Sequence, residues 1–366
     1  TIEGEFNDEA FGTPNTEDIT HAFPSDTLRA RIDIDVKYAN EEDVGLVLRE
    51  SFELTYREPD PSEGLVIEFP KELETLPISD DGVLESSLRI EGVRNLRDLD
   101  ALSGLREVRG DLTIASNLDL RSMEGLNNLE KVTGKLTVEH NWEAGLGRTF
   151  PSLIEAGSVQ AGGYHDHYHP SIFPALEKTG TLTLREIADV SHVDIENPSD
   201  VEEVWIVDNA NVERINIGAL QATMVPLEKL VIERNAWLSS VYLSNALTSI
   251  GDFTLVGNQS YNDLDGFEAV ESIDTFLVSS NANLYSMSGL NGLISVGSLV
   301  IRNNPKLLSL AFDLAFPNLS DVTRRLIVRD NANLAACSAR QFANRFTPSE
   351  AAIVENNTGT LTGSCD

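Results

Sequence analysis

The chain has 366 residues, of which 41% are hydrophobic and 23% charged, with 59 acidic against 27 basic side chains and a net charge of −32. So negative a surface repels nucleic acid and anionic membranes, so neither is an expected partner. There is no run of about 18 apolar residues, hence no candidate membrane-spanning helix in the sequence.

Residues 1–82 hold 22 acidic and 6 basic residues, a net of −16 and half of the total charge. The plain reading is solubility, and the sharper one is life in high salt or a calcium-rich exterior. Thr1–Ser25 shows little pattern and reads as an extended arm. Arg31–Tyr38 alternates apolar and polar residues strictly, which predicts a half-exposed strand. Asn40-Glu41-Glu42-Asp43 resembles a helix start, with an N-cap and acids in the first turn. Val44–Tyr56 fits helix or strand, Pro59-Asp60-Pro61 is a turn, and Gly64–Phe69 is a short strand. These residues form the expected N-terminal region, an acidic cap or a small α+β or β domain over an open sheet edge.

Residues 83–366 repeat. A first apolar position falls at Leu88, Leu112, Leu136, Val159, Leu182, Val204, Leu230, Phe253, Phe276, Leu299, Leu326 and Ala352, with gaps of 22 to 27 residues. A second apolar residue follows two positions later, and five positions after the first stands Asn117, Asn141, Asn209, Asn235, Asn258, Asn281, Asn304, Asn331 or Asn357. A period in this range is the signature of a solenoid. In apolar-x-apolar both apolar side chains point to one face of a strand. Each strand then pairs with its equivalent one coil later, about 4.8 Å away. Asn at the coil corner turns the backbone and bonds up and down the stack, because buried polar groups need partners. The expected fold is mainly β: a parallel β-helix of about 11–12 coils of ~23 residues, each stabilised by its neighbours.

Units such as Leu112-Thr-Ile114-Ala-Ser-Asn117-x-x-Leu120 and Leu299-Val-Ile301-Arg-Asn-Asn304-Pro-Lys-Leu307 resemble the receptor L domain. That family is the leucine-rich, right-handed β-helix module of insulin- and epidermal-growth-factor-type receptors, and occurs in fungal and bacterial surface proteins. Asn-x-x-Leu fits it better than the Asn-x-Leu of ordinary leucine-rich repeats. The resemblance covers about residues 83–366 and implies an extracellular, cell-surface or periplasmic setting. It also implies that the flat sheet engages protein ligands.

Three further features bear on function. His165, His167 and His169 alternate around Asp166, a spacing that suits zinc, nickel or copper on an extended segment; the other reading is an exposed polar loop. No other cofactor is expected. Cys337 and Cys365, one coil apart, are expected to form a disulfide that staples the C-terminal coil in an oxidising compartment. GxSxG, HExxH, GxxxxGK and GxGxxG are all absent, and paired acids are not evident at outward strand positions, so catalysis is not expected.

The residue between the two inward apolar positions must face outward. From the sixth coil onward it is Trp205, Val231, Thr254, Leu277, Val300 and Ile327, and two residues later come Val207, Glu233, Val256, Ser279, Arg302 and Arg329. Stacked at strand spacing, the first series makes an apolar stripe about 25 Å long. Patches of this kind mark interaction sites. The expected ligand-binding face therefore comprises Trp205, Val207, Val231, Thr254, Val256, Leu277, Val300, Arg302, Ile327 and Arg329. A protein or glycan ligand is expected there, with cover by the N-terminal region or a second copy as the alternative. The rival roles are a structural envelope or spacer protein and a β-helix enzyme acting on polysaccharide.

Overall fold

The computed structural model describes residues 29–40, 43–55, 64–141, 150–163, 172–187, 191–195, 199–218, 227–310 and 315–359. The chain divides into two units, Thr1–Ser62 and Glu63–Asp366. In the first, strands Arg29–Asn40 and Asp43–Thr55 pair antiparallel, from Arg29 with Thr55 to Asn40 with Asp43. The alternation at Arg31–Tyr38 is thus a strand, as expected. The helix-like start at Asn40 instead leads into a second strand, because pairing with the first overrides a local capping signal.

The second unit is a parallel β-solenoid. Its main sheet runs without a break in the stacking order from Leu65–Ile67 to Ala351–Glu355. The register pairs Leu88 with Leu112, Leu112 with Leu136, Leu136 with Val159 and Val159 with Leu182. It continues through Val204, Leu230, Phe253, Phe276, Leu299 and Leu326 to Ala352. Every first apolar position of the repeat therefore stacks on its equivalent. The sheet begins one coil before Leu88, where Leu65 pairs with Leu88 and Ile67 with Ile90. A smaller parallel sheet, His192–Ile195, Arg214–Ile217 and Ser240–Leu243, lines another side of the middle coils.

The inward residues form one continuous apolar core; Leu112, Leu136, Leu182, Leu230, Phe276 and Leu326 are all fully buried. Three aromatics stack within it, Phe253 lying 4.9 Å from Phe267 and 4.8 Å from Phe276 between ring centroids. Toward the C-terminal end, helix Ala336–Ala343 places Phe342 against Phe316 at 5.5 Å. Coils approach closely at the Gly-Leu turns. A Cβ on Gly125 would lie 1.7 Å from the Leu99 carbonyl oxygen, and one on Gly289 2.0 Å from that of Leu264, so no larger residue fits.

The Asn ladder is present and fully internal. Asn117, Asn141, Asn209, Asn235, Asn258, Asn281, Asn304 and Asn331 are completely buried, and Asn357 is 5% exposed. The Nδ2 of Asn281 donates to the Leu255 carbonyl one coil back (2.9 Å) and to the Oδ1 of Asn304 one coil ahead (3.2 Å). Its own Oδ1 accepts from both the backbone N–H and the Nδ2 of Asn258, each at 3.1 Å. The same pattern runs unbroken from Asn209 to Asn357.

The turn itself is made one residue earlier than expected. Ser116, His140, Glu186, Asp208, Arg234, Ser280, Asn303, Asp330 and Asn356 have φ between 52° and 60°, and Gly92, Gly163 and Gly257 take the same slot with φ of 66–70°. A left-handed residue at these corners bends the strand out of the sheet, and the following residue, Asn in most coils but Val93 and Ile187 in two, then fills the interior of the bend. Among the described residues, no helix is long and apolar enough to cross a membrane.

Candidate ligand-binding face

The outward row exists as a register fact. Trp205 pairs with Val231, Val231 with Thr254, Thr254 with Leu277, Leu277 with Val300 and Val300 with Ile327. One further member, Ile353, pairs with Ile327 and is 36% exposed. Sequence reasoning missed it because the weak Ala352 position obscured the last coil. The next outward column is Val207, Glu233, Val256, Ser279, Arg302 and Arg329, in register on the same strands.

Not all of these side chains are presented. Trp205, Thr254, Leu277, Val300 and Ile327 are half-buried, as are Val207, Val256, Arg302 and Arg329. Val231, expected on the face, is buried at 3% exposure and so offers a ligand little surface. Trp205 is held in place: its Nε1 donates to Glu203 Oε2 at 2.9 Å, and the Lys229 ammonium lies 5.0 Å from its ring centroid. The presented aliphatic part is therefore Leu277, Val300, Ile327 and Ile353, toward the C-terminal end.

The polar half of the same row is Arg89, Thr113, Thr137, Gln160 and Thr183, in which Arg89 and Gln160 make side-chain bonds. Lys135 Nζ donates to Gln160 Oε1 at 2.5 Å, and Gln160 Nε2 donates to Glu139 Oε1 at 2.6 Å. Nearby, His140 Nε2 lies 3.0 Å from Glu186 Oε2, and the Glu186 carboxylate also holds the Arg185 guanidinium. The bond from Arg185, followed by that from His140, lowers the Glu186 pKa from its ordinary value against the opposing effect of burial.

Glu228, Asp252 and Asp274 line one shallow depression with Ser249, Ser272 and Ser295, with Asp252 opposite Lys229 on one strand and Thr275 on the other. These acids stand before the apolar-x-apolar columns of their coils. Asp274 is bonded to Arg324, which reaches past Gly297 to its Oδ1 at 2.9 Å. Among the described residues, no group of three or more His, Cys, Asp or Glu side chains is placed to hold a metal ion.

His165, His167 and His169 lie outside the described residues, as does Cys365. Cys337 sits in helix Ala336–Ala343. Asn258-Gln-Ser260, Asn318-Leu-Ser320 and Asn356-Asn-Thr358 match the N-glycosylation pattern; Asn258 is a buried ladder residue and closed to modification in the folded state, whereas Asn318 and Asn356 are exposed. Comparison of the chain with protein-family models, curated proteins and solved structures returned no match.

Proposed function

We propose that this protein is a non-catalytic recognition or adhesion protein of the extracellular or cell-surface space, binding a protein or glycan ligand on the flat sheet of its solenoid. The observation that carries this reading is the outward aliphatic row Leu277, Val300, Ile327 and Ile353, in register on consecutive strands and half-buried or exposed. A continuous apolar row on a rigid sheet retains its geometry before binding, so little ordering entropy opposes association. The receptor L resemblance of the repeat units supports the same surface and the same setting. The extracellular reading also rests on a Cys337–Cys365 disulfide; intact-mass measurement under non-reducing conditions is expected to find no free thiol, and two alkylatable cysteines would remove that support.

Leu277→Asp tests the face. The variant is expected to keep the wild-type melting temperature and monomeric state while losing every ligand found on glycan and protein arrays. Loss of stability, or dissociation of an oligomer, would show the stripe to be a covered internal or self-association surface. Turnover of acidic polysaccharide would favour an enzyme instead.

A further inference from the structure

The column beside the aliphatic row carries two arginines in adjacent strands. Arg302 and Arg329 are direct cross-strand partners, with Val300 and Ile327 two residues before them. Like charges placed directly opposite each other in a sheet destabilise it. The chain has only 27 basic residues against 59 acidic ones, and several arginines elsewhere on the solenoid meet carboxylates: Arg106 with Glu130 at 2.6 Å, Arg109 with Glu85 at 2.6 Å, Arg234 with Asp208 at 2.7 Å and Arg325 with Glu350 at 2.9 Å. Among the described residues Arg302 has no carboxylate within 4 Å, and its guanidinium makes one hydrogen bond, from Nε to Ser279 Oγ at 3.3 Å. Arg329 reaches only Asp330, at 3.6 Å from Nε, and that Nε is buried without a hydrogen-bond partner. Glu355, opposite Arg329 on the next strand, forms no ion pair with it among the described residues. Two guanidinium groups with unused donors thus stand side by side against an aliphatic row.

We infer that this corner of the sheet is an anchor for a protein partner that presents a carboxylate next to aliphatic side chains, Arg302 and Arg329 gripping the carboxylate while Leu277, Val300, Ile327 and Ile353 take the apolar residues. The inference rests on the sheet being the binding face and adds the chemistry of the partner. A carboxylate between two guanidinium groups accepts short charge-assisted bonds of about 2.7–2.9 Å and relieves their mutual repulsion. The apolar neighbours decide between macromolecules. Sugar rings are held by aromatic faces, and the tryptophan of this row lies at its other end with Lys229 over its ring. An aliphatic row beside an anion site suits peptide side chains. The net charge of −32 requires that the carboxylate belong to a partner that is not itself strongly acidic overall.

The test uses the full chain and an immobilised library of linear nonapeptides, with heparin oligosaccharides as a second probe. Wild type is expected to select peptides with Asp or Glu beside Leu, Ile or Val. Changing that carboxylate to its amide, or Arg302→Gln or Arg329→Gln in the protein, is expected to weaken binding at least ~10-fold, as loss of a charge-assisted bond requires. Melting temperatures of the variants are measured alongside to confirm folding, and Arg89→Gln, at the far end of the row, is expected to leave affinity unchanged. Selection of peptides without a carboxylate, sensitive to Leu277→Asp but not to the arginine changes, overturns the anchor and leaves the face standing. Selection insensitive to all three changes, or binding of neither peptide nor heparin, overturns the anchor and the proposed face with it. Heparin binding that needs the arginine pair, with no peptide binding, overturns the protein partner and retains the face.

Discussion

Replacing Asn281 by leucine tests the interior corner directly. Asn281 makes four bonds through its side chain, two as donor and two as acceptor. Leucine removes them all. The Asn258 backbone N–H and the Leu255 carbonyl then lose the side-chain partner that each has here, in a region where the neighbouring Asn residues are fully buried. The Asn258 Nδ2 keeps its bond to Ile232 O at 2.9 Å, and Asn304 Oδ1 keeps the Asn281 backbone N–H at 3.0 Å. Two orphaned groups at about 1–3 kcal/mol each give a loss of roughly 2–6 kcal/mol, less whatever the added apolar burial returns. Urea unfolding measures the loss as a lower midpoint, and amide exchange locates it, with protection falling first in the coils around Phe253–Asn304. An unchanged midpoint with unchanged exchange would refute the account of the ladder. Asn281→Asp gives a pH signature. Its second carboxylate oxygen would face the Leu255 carbonyl and the Asn304 Oδ1, both acceptors, so the folded-state pKa rises above the ordinary ~3.9. A raised folded pKa means that stability relative to wild type is fullest below ~3.9 and is lost as pH rises through the folded value. The variant is therefore expected to lie closer to wild type at pH 4 than at pH 8.

Two more outcomes follow from the backbone. Ser280 holds φ of 60° in a corner where Gly257 serves the preceding coil, so Ser280→Gly is expected to raise stability by up to about 1 kcal/mol by relieving left-handed strain; a lower urea midpoint would contradict this. Gly289→Ala is expected to lower the midpoint clearly, since its Cβ would stand 2.0 Å from the Leu264 carbonyl oxygen at φ of 102°; a neutral result would mean that the coils there separate at little cost.

The repeat alone determined the solenoid, its register, the inward apolar columns and the Asn ladder. Each of these depends on one residue type recurring at one offset, and stacking identical strands leaves a single way to align them, so Leu88 through Ala352 fall on one line. The outward row was legible for the same reason, since strand alternation fixes which side chains leave the core. Other features needed the third dimension. The left-handed corner before each ladder Asn is filled by Ser, His, Asp, Arg, Gly or Asn, and so has no single residue signature, because the stacked coil imposes φ as much as the local sequence does. The burial of Val231 depends on how its surroundings pack, which no period reports. The acidic depression takes Glu228 and Asp274 from one position of the repeat, where Gly251 stands in the coil between them, and Asp252 from the next, so the acids do not recur at one offset from coil to coil. The unanswered arginine pair is likewise a matter of distance: only the folded arrangement shows that, among the described residues, Arg302 has no carboxylate within 4 Å and Arg329 only Asp330, at 3.6 Å.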